Sequence, residues 1–180
     1  MPKNIGIFCS SKIKPSKSYL QMIYDIVSWL EFNKFNLVIG GESCGLMKSF
    51  SKIAYKKKIR IFGIVSYNFQ NELEKNNYIT DLIITQNLEE RKKQFIARSD
   101  CFIFLPGGIG TLNELLDLIV KRENKEISKN IFLISDTFWK PFFEYLNYLI
   151  KNKMMKKKLI INNVNFLDLK KLKKMRSKDV

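Results

Sequence analysis

The sequence predicts an α/β fold: one domain built on a doubly wound, mostly parallel sheet with helices on both faces. Three observations predict it. Short β-prone apolar runs alternate with longer stretches of helical periodicity along the 180 residues. The runs at 4–9, 35–39 and 101–105 are apolar without alternation, as strands buried on both faces are. The turns at 10–12, 40–45 and 106–111 are polar or glycine-rich, and they follow strands. The order is Rossmann-like, with right-handed crossovers, and it places ligands beyond the carboxyl ends of the strands.

Taken in order, Asn4-Ile5-Gly6-Ile7-Phe8-Cys9 reads as the first strand, followed by the turn Ser10-Ser11-Lys12. Ser16 or Ser18 is a candidate cap for a helix whose apolar stripe is Tyr19, Leu20, Ile23, Ile26, Val27 and Leu30. Residues 35–39 form the second strand and run into Gly40-Gly41-Glu42-Ser43-Cys44-Gly45-Leu46-Met47. A third strand is expected over 59–66, a polar stretch with a short helix over 71–75, and a short strand over 81–85. Asn87 is placed to cap a helix over 88–98, in which Glu90, Arg91 and Lys92 are consecutive. Taken alone, three adjacent charges on a helix describe a solvated face. Residues 131–135 read as a further strand, and 138–151 as an aromatic-rich helix with Pro141 near its first turn. Residues 169–180 are lysine-rich and read as a frayed or surface-helical tail.

Composition removes several chemistries. There is no histidine, which excludes a Ser-His-Asp triad, a HExxH zinc site and histidine acid–base catalysis. Cys9, Cys44 and Cys101 lie far apart without a CxxC pair and read as reduced thiols of a cytoplasmic protein. The start of the chain does not read as a signal peptide, and no apolar run approaches the ~20 residues that span a bilayer. The net charge of +15 is spread over scattered lysines with little arginine. It describes a solvated surface that attracts anionic substrates rather than a nucleic-acid interface.

The stretch that organises the chain is the strand 101–105, the turn Pro106-Gly107-Gly108-Ile109-Gly110-Thr111, and the helix that begins Leu112-Asn113-Glu114. Unpaired N–H groups at a helix start, with the helix dipole behind them, make an anion site that glycines open to close approach. Thr111 is a candidate cap. Glu114, three residues on, has two readings: a capping-box partner of Thr111, or a carboxylate facing whatever the turn holds.

These residues carry a resemblance. Pro106 to Glu114 resembles the PGGxGTxxE motif of the Lonely Guy family, cytokinin riboside 5′-monophosphate phosphoribohydrolases long mislabelled as lysine decarboxylases. Glu90-Arg91-Lys92 resembles that family's second signature, and the likeness runs from about Ile5 to about Ile150. The loop from Gly40 resembles the family's GGGxxGLMG, with Glu42 and Lys48 in place of two glycines. Ser10 stands where the family has a glycine within FCGSS. A carboxylate at Glu42 is a poor neighbour for a phosphate; it points outward, or the site differs from the usual one.

The resemblance implies one nucleotide-binding hydrolase domain over 1–168 and a basic tail over 169–180. It implies hydrolysis of the N-glycosidic bond of a purine nucleoside 5′-monophosphate to free base and ribose 5-phosphate. Arg91 and Glu114 would be catalytic. Gly107, Gly108, Gly110 and Thr111 would cradle the phosphate, with Lys92, Ser10 and Gly41 as further binding residues. No metal or organic cofactor is expected, and the partner would be a second copy of the chain, at least a homodimer, with the helix over 111–121 in its interface. The alternative on the same scaffold is a non-catalytic carrier of a nucleotide or of molybdenum cofactor.

Overall fold

The computed structural model describes residues 2–67, 76–156 and 164–180, so the expected short helix over 71–75 lies outside the described residues. In chain order the elements are β1 (Asn4–Phe8), α1 (Lys17–Phe32), β2 (Asn36–Gly40), α2 (Gly45–Lys56), β3 (Ile61–Ser66), β4 (Asp81–Thr85) and α3 (Leu88–Arg98). Then follow β5 (Cys101–Phe104), α4 (Ile109–Glu123), β6 (Asn130–Leu133), α5 (Asp136–Lys151), β7 (Asn165–Phe166) and α6 (Leu169–Lys174).

The strands form one seven-stranded sheet in the order β4-β3-β2-β1-β5-β6-β7. Every neighbouring pair is parallel, so the sheet is wholly rather than mostly parallel. The chain winds outward from β1 through β2 and β3 on one side, and from β5 through β6 on the other. The direction reverses between β1 and β5, which makes their carboxyl ends the switch point.

Side-chain alternation builds a core on each face. Ile5 and Ile7 of β1 and Cys101 and Ile103 of β5 join the α1 and α2 side chains Ile23, Ile26, Leu30, Leu46 and Phe50. Phe8, Phe102 and Phe104 face the other way, onto Phe95 of α3, Leu115 and Leu118 of α4, and Trp139 of α5. Phe8 stacks on Phe104 with ring centroids 4.6 Å apart and meets Phe95 at 4.9 Å.

Caps set the helix starts. Of the two candidates at α1, Ser16 is the cap: its hydroxyl accepts the Tyr19 N–H, and Ser18 bonds to Ser16 instead. Asn87 caps α3 by accepting the Glu90 N–H at 2.9 Å.

Several expectations are corrected. Helix α4 starts at Ile109 with Gly108 as its cap, not at Thr111. Pro141 is the sixth residue of α5 rather than a first-turn residue, because that helix begins at Asp136. The aromatics of that helix divide: Tyr145 and Tyr148 are 59% and 60% exposed, whereas Trp139 is fully buried. The segment 169–180 is docked: Leu172 of α6 is fully buried against α1, and the Trp29 indole donates to the Met175 carbonyl at 3.0 Å. Among the described residues no helix is long and apolar enough to cross a membrane.

Candidate active site

Three loops meet at the switch point and are stitched by backbone hydrogen bonds. The Ser10 N–H donates to the Pro106 carbonyl at 3.2 Å, and the Leu46 N–H donates to the Ser10 carbonyl at 3.0 Å. The loops after β1, β2 and β5 therefore share one edge. The buried Asn76 carboxamide fixes the second loop by donating to the Gly41 and Glu42 carbonyls at 3.3 and 3.2 Å.

Of the three adjacent charges on α3, Arg91 is the one that bonds into this edge. Glu90 folds back to accept the Gln86 N–H, which closes the helix start, and Lys92 pairs with Glu89 at 3.1 Å. Arg91 is 12% exposed, so the solvated-face reading fails for it. Its Nε donates to the Ile64 carbonyl at 3.1 Å, and its guanidinium lies over the Phe95 ring, 5.2 Å from the centroid. Its Nη1 donates to Glu114 Oε1 at 3.0 Å. Strand β3, the aromatic stack and α4 thus hold one cation rigidly.

Glu114 is the sixth residue of α4, in its second turn, and its side chain is likewise 12% exposed. The capping-box reading falls with the position of the helix start, since Gly108 occupies the cap and Glu114 bonds Arg91. Burial pushes the Glu114 carboxyl up to about 7. The Arg91 charge pulls it down and the charge of Glu42 pushes it up. Near neutrality this group both takes and gives a proton.

Glu42 does not point outward. Its Oε1 lies 3.9 Å from Arg91 Nη2, on the side of the guanidinium not used by Glu114. Cys9 is buried and feels both carboxylates. Burial first, then the charges of Glu42 and Glu114, raise its thiol well above the usual range. It stays protonated and is no thiolate nucleophile.

In the turn, Thr111 is buried while Gly108 and Gly110 are exposed. A side chain at Gly107 would run into the Thr111 side chain, whereas one at Gly108 or Gly110 would meet nothing within 4 Å. The turn is tight on its inner side and open on its outer side, and the first N–H groups of a helix have no partner within it. The Ser10 hydroxyl is engaged inward, accepting the Lys12 and Ile13 N–H groups at 3.1 and 3.3 Å. Ser10 therefore shapes its loop with the side chain turned from the opening. Gly41 is buried behind Glu42, and Lys92 borders the crevice formed with Phe95, Ile96 and Glu114.

Sequence reasoning missed Phe95, Asn76 and the Ile64 carbonyl. The phenylalanine one turn beyond an inward arginine was the one available signal; a lone asparagine and a strand carbonyl carry none.

The sequence model of the family described as possible lysine decarboxylase matches residues 47–171. The chain belongs to that family. A cytokinin riboside 5′-monophosphate phosphoribohydrolase of Arabidopsis thaliana is 33% identical over 117 residues, which is 65% of this chain and 51% of that protein. One of Rhodococcoides fascians is 25% identical over 149 residues, 82% of this chain and 75% of that protein. The chain spans about half the length of the plant relatives, 51% of the Arabidopsis protein and 47% of one from rice. In fold the chain is similar to the molybdenum cofactor carrier protein of Chlamydomonas reinhardtii, with a TM-score of 0.69, 18% identity, and coverage of 97% and 95% of the two chains. The molybdenum cofactor binding protein of Rippkaea orientalis gives a TM-score of 0.66 at 21% identity, over 92% and 89%.

Proposed function

We propose that this chain hydrolyses the N-glycosidic bond of a purine nucleoside 5′-monophosphate, releasing the base and ribose 5-phosphate. The observation that carries the reading is the buried Arg91–Glu114 pair, with its carboxyl poised near neutrality beside an open helix-start turn. The names of the relatives support the same reaction class.

The 5′-phosphate rests on the N–H groups of the turn at residues 107–111, where the α4 dipole favours negative charge. The C1′–N bond breaks with oxocarbenium character, and the Glu114 carboxylate stabilises the positive charge that develops. A water attacks C1′: its oxygen bonds to carbon, its proton passes to Glu114, and the base leaves with the electron pair of the broken bond. Glu114 then returns the proton, which completes the base N–H. Arg91 holds Glu114 in place and keeps enough of it ionised at neutral pH. The Arg91 Nε and Nη1 are engaged by the Ile64 carbonyl and by Glu114, which suits the residue to this positioning role.

A carrier has no need of a carboxyl held near neutrality, and the likeness to molybdenum cofactor carriers, at 18% and 21% identity, concerns the fold alone. The exposed Leu116 and Val120 on α4 support the expected pairing with a second copy. A paired assay tests the reading. AMP should release adenine, and adenosine at the same concentration should not, because the turn needs a phosphate to seat the sugar. Equal turnover of the two would remove the phosphate cradle.

A further inference from the structure

Glu42 is the feature the family pattern does not account for. Three observations define its setting. Its Oε2 is buried and has no hydrogen-bond partner among the described residues. Its Oε1 is 3.9 Å from Arg91 Nη2, close enough for ion pairing but too far for a direct hydrogen bond. Its backbone carbonyl accepts from Asn76, so the loop that carries the carboxylate is fixed before any ligand arrives.

The neighbourhood is built around this arrangement. A side chain at residue 40 would collide with the Glu42 carboxylate, and its Cβ would fall 2.9 Å from Arg91 Nη2 and 3.0 Å from Met47 Sδ. Gly40 is thus the residue that lets carboxylate and guanidinium share the floor of the cleft. Glu42 is 22% exposed, so the floor remains reachable from solvent.

An Arg N–H facing a carboxylate oxygen across such a gap asks for a group that accepts on one side and donates on the other. A phosphate oxygen accepts but has no proton for Glu42, and two negative charges repel. An ammonium donates but cannot accept from Arg91. A hydroxyl does both, and an oxygen about 2.8 Å from each partner closes the gap with ordinary geometry. Of the parts of a nucleoside monophosphate, only the sugar carries free hydroxyls, and it must lie between the phosphate turn and Glu114.

We propose that Glu42 and Arg91 form a sugar-hydroxyl subsite that reads the 2′,3′-diol of a ribonucleotide and discriminates against deoxyribonucleotides. The proposal rests on the nucleotide reading above, but it is a statement about binding and does not need turnover. A site built to hydrogen-bond a hydroxyl rejects the analogue that lacks it, because its own buried polar groups are then left unpaired.

The test uses C-nucleoside 5′-monophosphates, whose carbon–carbon link cannot be hydrolysed, in ribo, 2′-deoxy and 3′-deoxy forms. Binding is measured by calorimetry on the full chain, Glu42→Gln and Glu42→Gly. The native chain should bind the ribo form at least 10-fold tighter than one of the deoxy forms. Glu42→Gly should bring that ratio within about 3-fold, chiefly by weakening the ribo form, with Glu42→Gln between. Equal binding of all three forms by the native chain overturns the proposal and leaves the gap to a bridging water. An unchanged ratio in a folded Glu42→Gly chain overturns it too, as does the absence of binding by any form. If the ratio holds while AMP releases no adenine, the hydroxyl subsite stands and the hydrolase reading falls.

Discussion

Glu114 carries the proposed chemistry at the scale of single residues, and its titration has a readable sign. Its carboxyl is raised from 4.5 to about 7 by burial. Below 4.5 it is protonated in both folded and unfolded chains and contributes its full share of stability. Between 4.5 and 7 the unfolded chain gives up the proton while the folded chain keeps it, so stability falls as pH rises; above 7 the difference levels off. Relative to Glu114→Gln, the native chain should lose on the order of 3 kcal/mol between pH 4 and pH 8, read from denaturant melts at both values. Parallel pH curves for the two proteins would show that the carboxyl is not raised. Arg91→Ala should do more than remove activity. It leaves Glu114 buried without its cation, and should cost about 3 kcal/mol and move the acidic limb of any activity profile to higher pH. An unchanged melting temperature would mean that Arg91 sits in solvent after all. The spacing of Glu90-Arg91-Lys92 showed none of this, since three adjacent charges point in different directions; only the family resemblance singled out Arg91. Glu42 was equally opaque: its type was plain, but the loop that carries it is fixed by Asn76, a residue distant in sequence.

Helix starts and turns decide what can be bound at the scale of elements. The turn after β5 separates a packed glycine from two open ones. Gly107→Ala drives a methyl into Thr111 and should cost roughly 1–3 kcal/mol. Gly108→Ala meets nothing and should leave stability within about 0.5 kcal/mol. Its effect should fall on the KM for AMP, since the new methyl projects where a phosphate approaches. Thermal melts and Michaelis–Menten curves on the two variants separate the roles, and a stability loss confined to Gly108→Ala would reverse the assignment. Most elements were legible because their signals are local: continuous apolar runs for β1, β2 and β5, and Ser16 and Asn87 for the starts of α1 and α3. The start of α4 was misplaced because a glycine cap offers no side-chain signal, and Thr111 two residues into the helix mimics one. Helix α2 went unassigned behind the glycine-rich loop, although Leu46, Met47, Phe50 and Ala54 give it a buried face. Strand β7, with two residues, is too short for any periodicity to register.

The doubly wound order at the scale of the whole molecule brings the site together, and two cores keep the sheet rigid beneath it. The sequence foretold the winding, because strand–helix alternation with parallel strands leaves few topologies. It did not foretell that the basic segment at 169–180 closes one face. A lysine-rich stretch reads as solvated until Leu172 is seen wholly buried against α1. Leu172→Ala should therefore cost about 2–5 kcal/mol despite its charged surroundings, measured by denaturant midpoint. A loss under about 0.5 kcal/mol would return the segment to a loose tail. The chain carries a formal net charge of +15, while the floor of the cleft holds two carboxylates and one arginine. Under the proposed function, long-range attraction would draw in an anionic nucleotide and short-range chemistry would place its sugar next to Glu114. The central claim is that the Glu114 charge breaks the glycosidic bond. The measurement that meets it most directly is ribose 5-phosphate release from AMP at pH 8 by the native chain and by Glu114→Gln, with folding checked on the same samples. The native chain should release ribose 5-phosphate and adenine in equal amounts, and the folded variant should be slower by roughly 10²-fold or more. Equal rates in the two proteins, or no ribose 5-phosphate from the native chain, would contradict the account.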